Sequence, residues 1–260
     1  MCYNNSMNER YIRFNPNIAK QKPSNKDKCP FCDKSQLGKI LDVKDDMIWV
    51  ENKYPTLEET YQTLVIESND HNGDISVYSE SKMHQLLDYL LSKWQLMEES
   101  GHYRSVVLYR NFGPLSGGSL RHPHSQIVGL KNVDAYETLN LDWFDGIEVC
   151  SETSQQAEIS IANRPMLDFT EFTIKVSKLE NAILIADSLP ILCHYILNEF
   201  LGGRCKSYNL FFYKHDGGLI CKIVPRFIVS PYQIGYAIHQ VNLPDELEKI
   251  KEALRAKYYL

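Results

Sequence analysis

The sequence lacks a long apolar run and a strong excess of either charge. No uninterrupted hydrophobic stretch approaches the ~20 residues of a spanning helix, and the first residues carry no continuous apolar segment typical of a secretory signal. The net charge is −5 at pH 7, which argues against a nucleic-acid duplex as the main partner, because that binding depends on cationic side chains. We therefore expect a cytoplasmic protein with neither nucleic acid nor membrane as a partner.

Cysteine and histidine are both scarce, at seven and eight residues. In a reducing compartment the default state of cysteine is a free thiol. Only Cys29 and Cys32 are closely spaced, and the other five are interpreted as thiols: Cys2, Cys150, Cys193, Cys205 and Cys221. Two of the few histidines, His122 and His124, are separated by a single residue.

Hydrophobic residues make up 43% of the 260 residues, which is enough to form the core of one large domain or of two smaller halves. Apolar and β-branched patterns predict strands at 46–52, 60–68, 104–111 and 124–130, and a helix between Ser79 and Gly101. The second half repeats this order with a strand at 171–177, a helix at 183–201 with a kink or break at Pro190, and a hairpin across "HDGG". The pattern predicts a diverged internal duplication, divided near residue 150 into halves 1–150 and 151–260.

The segment "GPLSGGSLRHPHSQ" joins a glycine-rich run to the paired histidines. If the strand includes His122, alternation places His122, His124 and Gln126 on one face. The glycines and serines before them, including Gly117, Gly118 and Ser119, are able to turn backbone N–H groups toward a phosphate. An ordinary glycine-rich turn beside two partly exposed histidines is the alternative.

"HPHSQ" resembles the His-Pro-His-x-Gln motif of the histidine-triad superfamily, in its galactose-1-phosphate uridylyltransferase branch. Upstream, "ENKYPTL", "VIESNDHNGDI" and "YRNFG" resemble further segments of that family, so the resemblance covers about residues 29–130. It implies a HIT-like α+β fold of antiparallel sheets with packed helices, in which 1–150 is a catalytic half with a zinc site. Residues 151–260 would be a shorter, degenerate half without the histidine motif.

The resemblance implies roles for two residues of the motif. His124 matches the nucleophile that attacks the α-phosphorus of a nucleotide sugar, and Gln126 matches the residue that donates to a phosphoryl oxygen. A neutral imidazole suits this chemistry because it is nucleophilic near pH 7. Glutamine cannot pass on a proton, which favours leaving groups that need none, and therefore transfer or phosphorolysis over hydrolysis.

Nucleotide contacts follow from the same resemblance. Asn52 and Asn111 match asparagines that contact ribose and phosphates, and Gly117 and Ser119 match a loop that faces the α- and β-phosphates, with Gly118 between them. An asparagine after a strand also caps turns, so both interpretations stay open for Asn52. Lys22 stands where the family has an arginine, and it offers a point charge instead of a two-pronged donor.

A metal site is the other implication. Cys-x-x-Cys spacing lets Cys29 and Cys32 reach one zinc ion, although no second such pair exists in the chain. In the related transferases the remaining ligands are histidines at the positions of His71 and His122. The alternative is two reduced cysteines and two unrelated histidines.

The resemblance thus predicts a nucleotidyltransferase of carbohydrate metabolism, exchanging a nucleotidyl group between a nucleotide sugar or dinucleotide and a phosphorylated acceptor. One alternative is a phosphorylase of an ADP-sugar or a diadenosine polyphosphate, and another is a zinc-stabilised nucleotide-binding protein without turnover. Base and sugar stay open. Because relatives commonly pair, we also expect a homodimer, or a pseudo-dimer of the two halves within one chain.

Overall fold

The computed structural model describes residues 10–22, 29–167 and 169–259. The helices are α1 Pro16–Gln21, α2 Glu80–Glu99, α3 Ile183–Asn198, α4 Pro231–Tyr236 and α5 Pro244–Tyr258. The strands are β1 Ile40–Lys44, β2 Met47–Glu51, β3 Thr60–Ile66, β4 Ser105–Phe112, β5 His124–Leu130, β6 Gly146–Cys150, β7 Glu158–Ala162, β8 Phe172–Val176, β9 Tyr208–His215 and β10 Gly218–Pro225.

The strands form one continuous antiparallel sheet of ten strands, in the order β1-β2-β3-β5-β4-β9-β10-β8-β7-β6. From each outer edge inward the two halves have the same order, with α2 and α3 in equivalent connections. The predicted α+β fold with two related halves is confirmed. The halves share a single sheet, because β4 pairs with β9 at the centre and neither central edge is left open.

Helix α2 covers one face of the sheet with the apolar stripe that its sequence predicts. Met83, Leu86, Leu90 and Trp94 are all buried, and the Trp94 indole N–H donates to the carbonyl of Val106 at 3.0 Å. Alternation along the strands leaves the other face for different side chains. Val65, Leu108 and Ile127 point into the helix-covered core, and the adjoining Leu64, Tyr109 and Gln126 line a cavity on the opposite face.

Two details of the predicted strands need correction. Strand β5 begins at His124, so His122 precedes the strand and does not share its alternation. The counterpart of β5 in the second half is β10, which begins at Gly218. The order of segments along the sequence would place residues 221–227 opposite the histidine motif, but those residues lie within β10 and directly after it. There the hairpin turn is only Asp216 and Gly217, both with positive φ, whereas residues 113–123 connect β4 to β5. The connection between β9 and β10, all of which the structure describes, therefore has no equivalent of the glycine-rich loop.

Helix α3 runs from Ile183 to Asn198 and contains Pro190, so the predicted helix continues past that residue. No helix in the described part of the chain combines the length and apolar character that crossing a bilayer requires. Strand β6 pairs with β7 and so adjoins the strands of the second half. The division into 1–150 and 151–260 stays a prediction.

Candidate active site and metal centre

A cavity of about 350 Å³ lies over β3, β5 and β4, on the face of the sheet away from α2. Its polar lining contains every residue that was assigned to catalysis or substrate binding from the sequence: His124, Gln126, Asn52, Asn111, Gly117, Gly118 and Ser119. An apolar wall completes it, formed by Phe14, Phe31, Leu37, Val50, Leu57 and Leu64. The apolar side chains are suited to a planar apolar group, and the polar ones to an anionic group.

His124 is held in one tautomer at the start of β5. Its Nδ1 lies 2.9 Å from the carbonyl oxygen of His122, and because a carbonyl only accepts, Nδ1 carries the proton and Nε2 carries the lone pair. The side chain is 7% exposed, and the ring of Phe31 packs edge-on against it. Burial lowers the pKa of His124, which favours the neutral ring that a nucleophile requires.

Gln126 is the next cavity-facing residue of β5, and Tyr109 lies directly opposite it on β4. The Tyr109 hydroxyl donates to Oε1 of Gln126 at 3.0 Å. Burial raises the pKa of Tyr109 to about 12, so this hydroxyl keeps its proton. With its carbonyl engaged, the Gln126 amide has its N–H₂ group available to donate to an anion.

The glycine-rich loop reaches the cavity through Gly117, Gly118 and Ser119. Gly117 has a φ of +83°, a conformation that glycine adopts without strain. The position of Ser116 in the run predicts that its hydroxyl faces the cavity, but Ser116 is not among the residues that line it. It is buried, and its Oγ donates to the carbonyl of Gly113 at 2.8 Å, which closes the turn.

Two residues at the cavity rim come from separate segments. Lys22, which follows α1, places its ammonium 2.6 Å from the hydroxyl of Ser119, so a positive charge stands beside the loop. Asn52 lines the cavity and also caps a turn, since its Oδ1 accepts from the backbone N–H of Tyr54 at 3.0 Å. Asn52 therefore caps a turn and also lines the cavity, and its contact with a nucleotide stays a prediction.

The four predicted metal ligands converge beside the cavity. Their ligand atoms, from Cys29, Cys32, His71 and His122, all lie within 4.8 Å of one another. The Cys32 sulfur is 3.5 Å from Nδ1 of His71 and 3.4 Å from Nδ1 of His122. A tetrahedral zinc ion with ordinary Zn–S and Zn–N bond lengths separates sulfur and nitrogen by about 3.5 Å, so this donor set fits a metal ion.

The tautomer of His122 also suits a metal ligand. Its Nε2 donates to the carbonyl oxygen of Ser68 at 2.8 Å, which leaves the lone pair on Nδ1, the atom that faces Cys32. His122 is 1% exposed, and its own carbonyl accepts from His124. A metal bound here would fix the backbone that orients the ring of His124.

A buried ionic network, which the sequence did not predict, lies on the other side of the same strands. Arg110 makes two hydrogen bonds to the carboxylate of Glu67, at 2.8 and 3.0 Å, and its NH1 lies 3.1 Å from Asp74. Glu67 also accepts from the hydroxyl of Ser125 at 2.8 Å, and Tyr208 donates to Asp74 at 2.7 Å. The only signal in the sequence was two opposite charges inside otherwise apolar strands.

Sequence comparisons fit this architecture. The family models of the N-terminal and C-terminal domains of DUF4931, a domain of unknown function, match residues 14–133 and 136–259. The chain belongs to the DUF4931 family. A crystal structure of a DUF4931 family protein from Bacillus cereus ATCC 10987 is 39% identical, with a TM-score of 0.74 over 84% of this chain and 98% of that one. A comparison with curated proteins gives no match.

More distant solved structures share the fold of this chain at low sequence identity. A structure of uridylyltransferase has a TM-score of 0.70 at 17% identity and covers 91% of this chain and 94% of that one. An ADP-glucose phosphorylase from Arabidopsis thaliana with bound ADP-glucose has a TM-score of 0.66 at 17% identity, with 93% and 98% covered. The resemblance to the uridylyltransferase branch of the HIT-like superfamily is therefore confirmed at the level of the fold.

A second group of potential ligands lies on the helix side of this DUF4931 chain. Glu80 and His84 of α2 and Asp187 of α3 bring their ligand atoms within 4.8 Å of one another. The His84 side chain is half-buried and hydrogen-bonded to Asp187. The contact between His84 and Asp187 links the helices of the two halves. Of the remaining cysteines, Cys150, Cys193 and Cys221 are free thiols, Cys205 donates its thiol to the carbonyl of Ser207, and Cys2 lies outside the described residues.

Proposed function

We propose that the protein is a nucleotidyltransferase that works through a covalent nucleotidyl-His124 intermediate, with a nucleotide sugar as donor. The observation that carries the proposal is the convergence of His124 and Gln126 with the glycine-rich loop in one cavity. The apolar wall suits a nucleobase. Lys22 and the N–H groups of the loop suit phosphates.

In the first step Nε2 of His124 attacks the α-phosphorus. The N–P bond forms as the bond from phosphorus to the leaving phosphate oxygen breaks, and the sugar phosphate departs as an anion that needs no proton. Gln126 donates to a phosphoryl oxygen as negative charge develops there. A phosphate oxygen of the acceptor then attacks the same phosphorus, and His124 regains its lone pair.

The donor and acceptor are best identified by trapping the intermediate. The protein is incubated separately with UDP-glucose, ADP-glucose and diadenosine tetraphosphate, and its intact mass is measured. One donor is expected to add a single nucleoside monophosphate, in a bond that is labile in acid and stable in base. Chasing the adduct with hexose 1-phosphate or with inorganic phosphate then distinguishes hexose-1-phosphate uridylyltransferase-like transfer from phosphorolysis. Nucleotide binding without any adduct would favour the non-catalytic alternative.

Zinc is the metal that we propose for Cys29, Cys32, His71 and His122, because two thiolates and two imidazoles are ligands that zinc prefers. Bound there, zinc would stabilise the fold and hold the His122 backbone.

Purified protein is expected to contain about one zinc ion per chain. Cys32→Ser is expected to lose the zinc and to melt at a lower temperature, because metal binding stabilises only the folded site. Cys150→Ser, which alters a thiol outside the cluster, is the matched control and should keep its zinc. Zinc-free protein, as measured by elemental analysis, would contradict the assignment.

A homodimer is the assembly that we propose. Several apolar side chains of α4 and of the segment between α4 and α5 are well exposed, among them Ile234 at 75% and Leu243 at 69%, and a second copy is the partner suited to cover them. Light scattering should give the mass of two chains. The mass of one chain at all concentrations would leave only the pairing of the two halves within the chain.

A further inference from the structure

An asparagine of the second half contacts a cavity-lining residue at the centre of the sheet. Asn209 of β9 lies directly opposite Asn111 of β4, in the strand pair that joins the halves, and it is 2% exposed. Its Nδ2 donates to Oδ1 of Asn111 at 2.6 Å and to the carbonyl of Ser116 at 2.9 Å. Its Oδ1 accepts from NH1 of Arg226 at 2.7 Å.

The direction of these hydrogen bonds follows from the chemistry of the two end groups. A guanidinium only donates, so the Asn209 atom that faces Arg226 must be the oxygen. A backbone carbonyl only accepts, so the atom that faces Ser116 must be the nitrogen. Asn209 is therefore fixed in one orientation, and Asn111 must present its oxygen to Asn209.

Asn111 is left with its N–H₂ group on the cavity side, beside the glycine-rich loop. An ideal Cβ built on Gly118 would lie 3.1 Å from Cβ of Asn111, which shows how closely the loop packs on this side chain. The same part of the second half holds the loop, since the Leu115 N–H donates to Oγ of Ser207 at 3.1 Å. The loop and the Asn111 amide are thus positioned together.

We propose that Asn209 and Arg226 are positioning residues of the second half, which fix the Asn111 amide as a hydrogen-bond donor to a phosphoryl oxygen of the substrate. The inference rests on the proposed function, because it requires a phosphate at this end of the cavity. In this proposal the second half, which lacks the histidine motif, determines which end of the Asn111 amide faces the cavity.

Asn209→Asp tests the relay with little change in shape. Aspartate still accepts from Arg226, but it has no N–H to donate to Asn111, whose amide is then free to turn its oxygen toward the cavity. The affinity for UMP or AMP, whichever the wild type binds, is expected to fall roughly tenfold to a hundredfold, as for a lost hydrogen bond to a charged group. Asn242→Asp, the same change on a half-buried asparagine that bonds Thr170, is the matched control and should bind like the wild type.

A double-mutant cycle separates the relay from simple repulsion between the new carboxylate and the phosphate. If Asn209 acts through Asn111, Asn209→Asp weakens binding much less in an Asn111→Ala background than in the wild type. Equal losses in both backgrounds would overturn the proposal. Arg226→Lys, which keeps a donor, should bind better than Arg226→Met. Zinc content and melting temperature, measured on every variant, report whether the fold is retained.

The two possible failures give different results. A wild type that binds neither UMP nor AMP and forms no adduct would overturn the proposed function, and this inference with it. A wild type that binds a nucleotide, together with an Asn209→Asp variant of equal affinity, would overturn the relay alone.

Discussion

Replacing His124 with glycine is expected to abolish the nucleotidyl adduct and to lower the rate of transfer by about a thousandfold or more. The reason is that the substitution removes the only imidazole that lines the cavity, among the residues described. The His124 side chain supplies none of the four potential metal-ligand atoms, so zinc should stay at its wild-type level. Intact-mass spectrometry after incubation with the donor measures the adduct.

The matched control for this experiment is His239→Gly, the same substitution at an exposed histidine away from the cavity. It should form the adduct as the wild type does. Peptide mapping of the wild-type adduct provides the second check. Undiminished turnover by the His124 variant, or an adduct on another residue, would require the nucleotidyltransferase proposal to be withdrawn.

The parts of the fold that the sequence predicts well are those where one local pattern decides the structure. The stripe of α2 and the β-branched run of β5 each have a single period over their whole length, so their bounds agree closely with prediction. Strand β1 was missed, because Ile40 and Val43 are exposed on an edge strand and its burial does not alternate. Strands β6 and β7, of five residues each, were missed as well.

The residues of the candidate site also divide into those that a local segment predicts and those that it does not. His124, Gln126 and the glycine-rich loop lie within a short segment, so their meeting follows from local geometry. Asn209 and Arg226 could not be predicted, because they reach Asn111 only through the pairing of β4 with β9 across the two halves. Nothing in the sequence around an asparagine reveals which strand will lie beside it.

Glu67 and Arg110 could not be predicted as a buried pair either, because the burial of a charge depends on tertiary packing. Glu67 is 0% exposed and Arg110 1%. Burial alone disfavours the charged guanidinium, but Glu67, Tyr208 and Asp74 together outweigh it and raise the pKa of Arg110 well above its ordinary value. Arg110 therefore stays charged at any pH at which the protein is folded, and it compensates both Glu67 and Asp74.

Arg110→Met is accordingly expected to lower the free energy of unfolding by about 3–5 kcal/mol, the usual cost of leaving a buried charge without its partner. Arg164→Met, which removes an exposed arginine paired with Asp142, is the matched control and should change it by no more than about 0.5 kcal/mol. Urea unfolding followed by circular dichroism measures both.

Adding Glu67→Gln to Arg110→Met distinguishes the cause of that loss. If the uncompensated carboxylate is responsible, neutralising it should recover part of the stability, although Asp74 still lacks its cation. If the loss comes only from the packing of the arginine side chain, the double variant should be at least as unstable as Arg110→Met. Because Glu67 also accepts from Ser125, which adjoins His124 on β5, a loss of adduct formation in folded Arg110→Met protein would indicate that the network orients the nucleophile as well as stabilising the sheet.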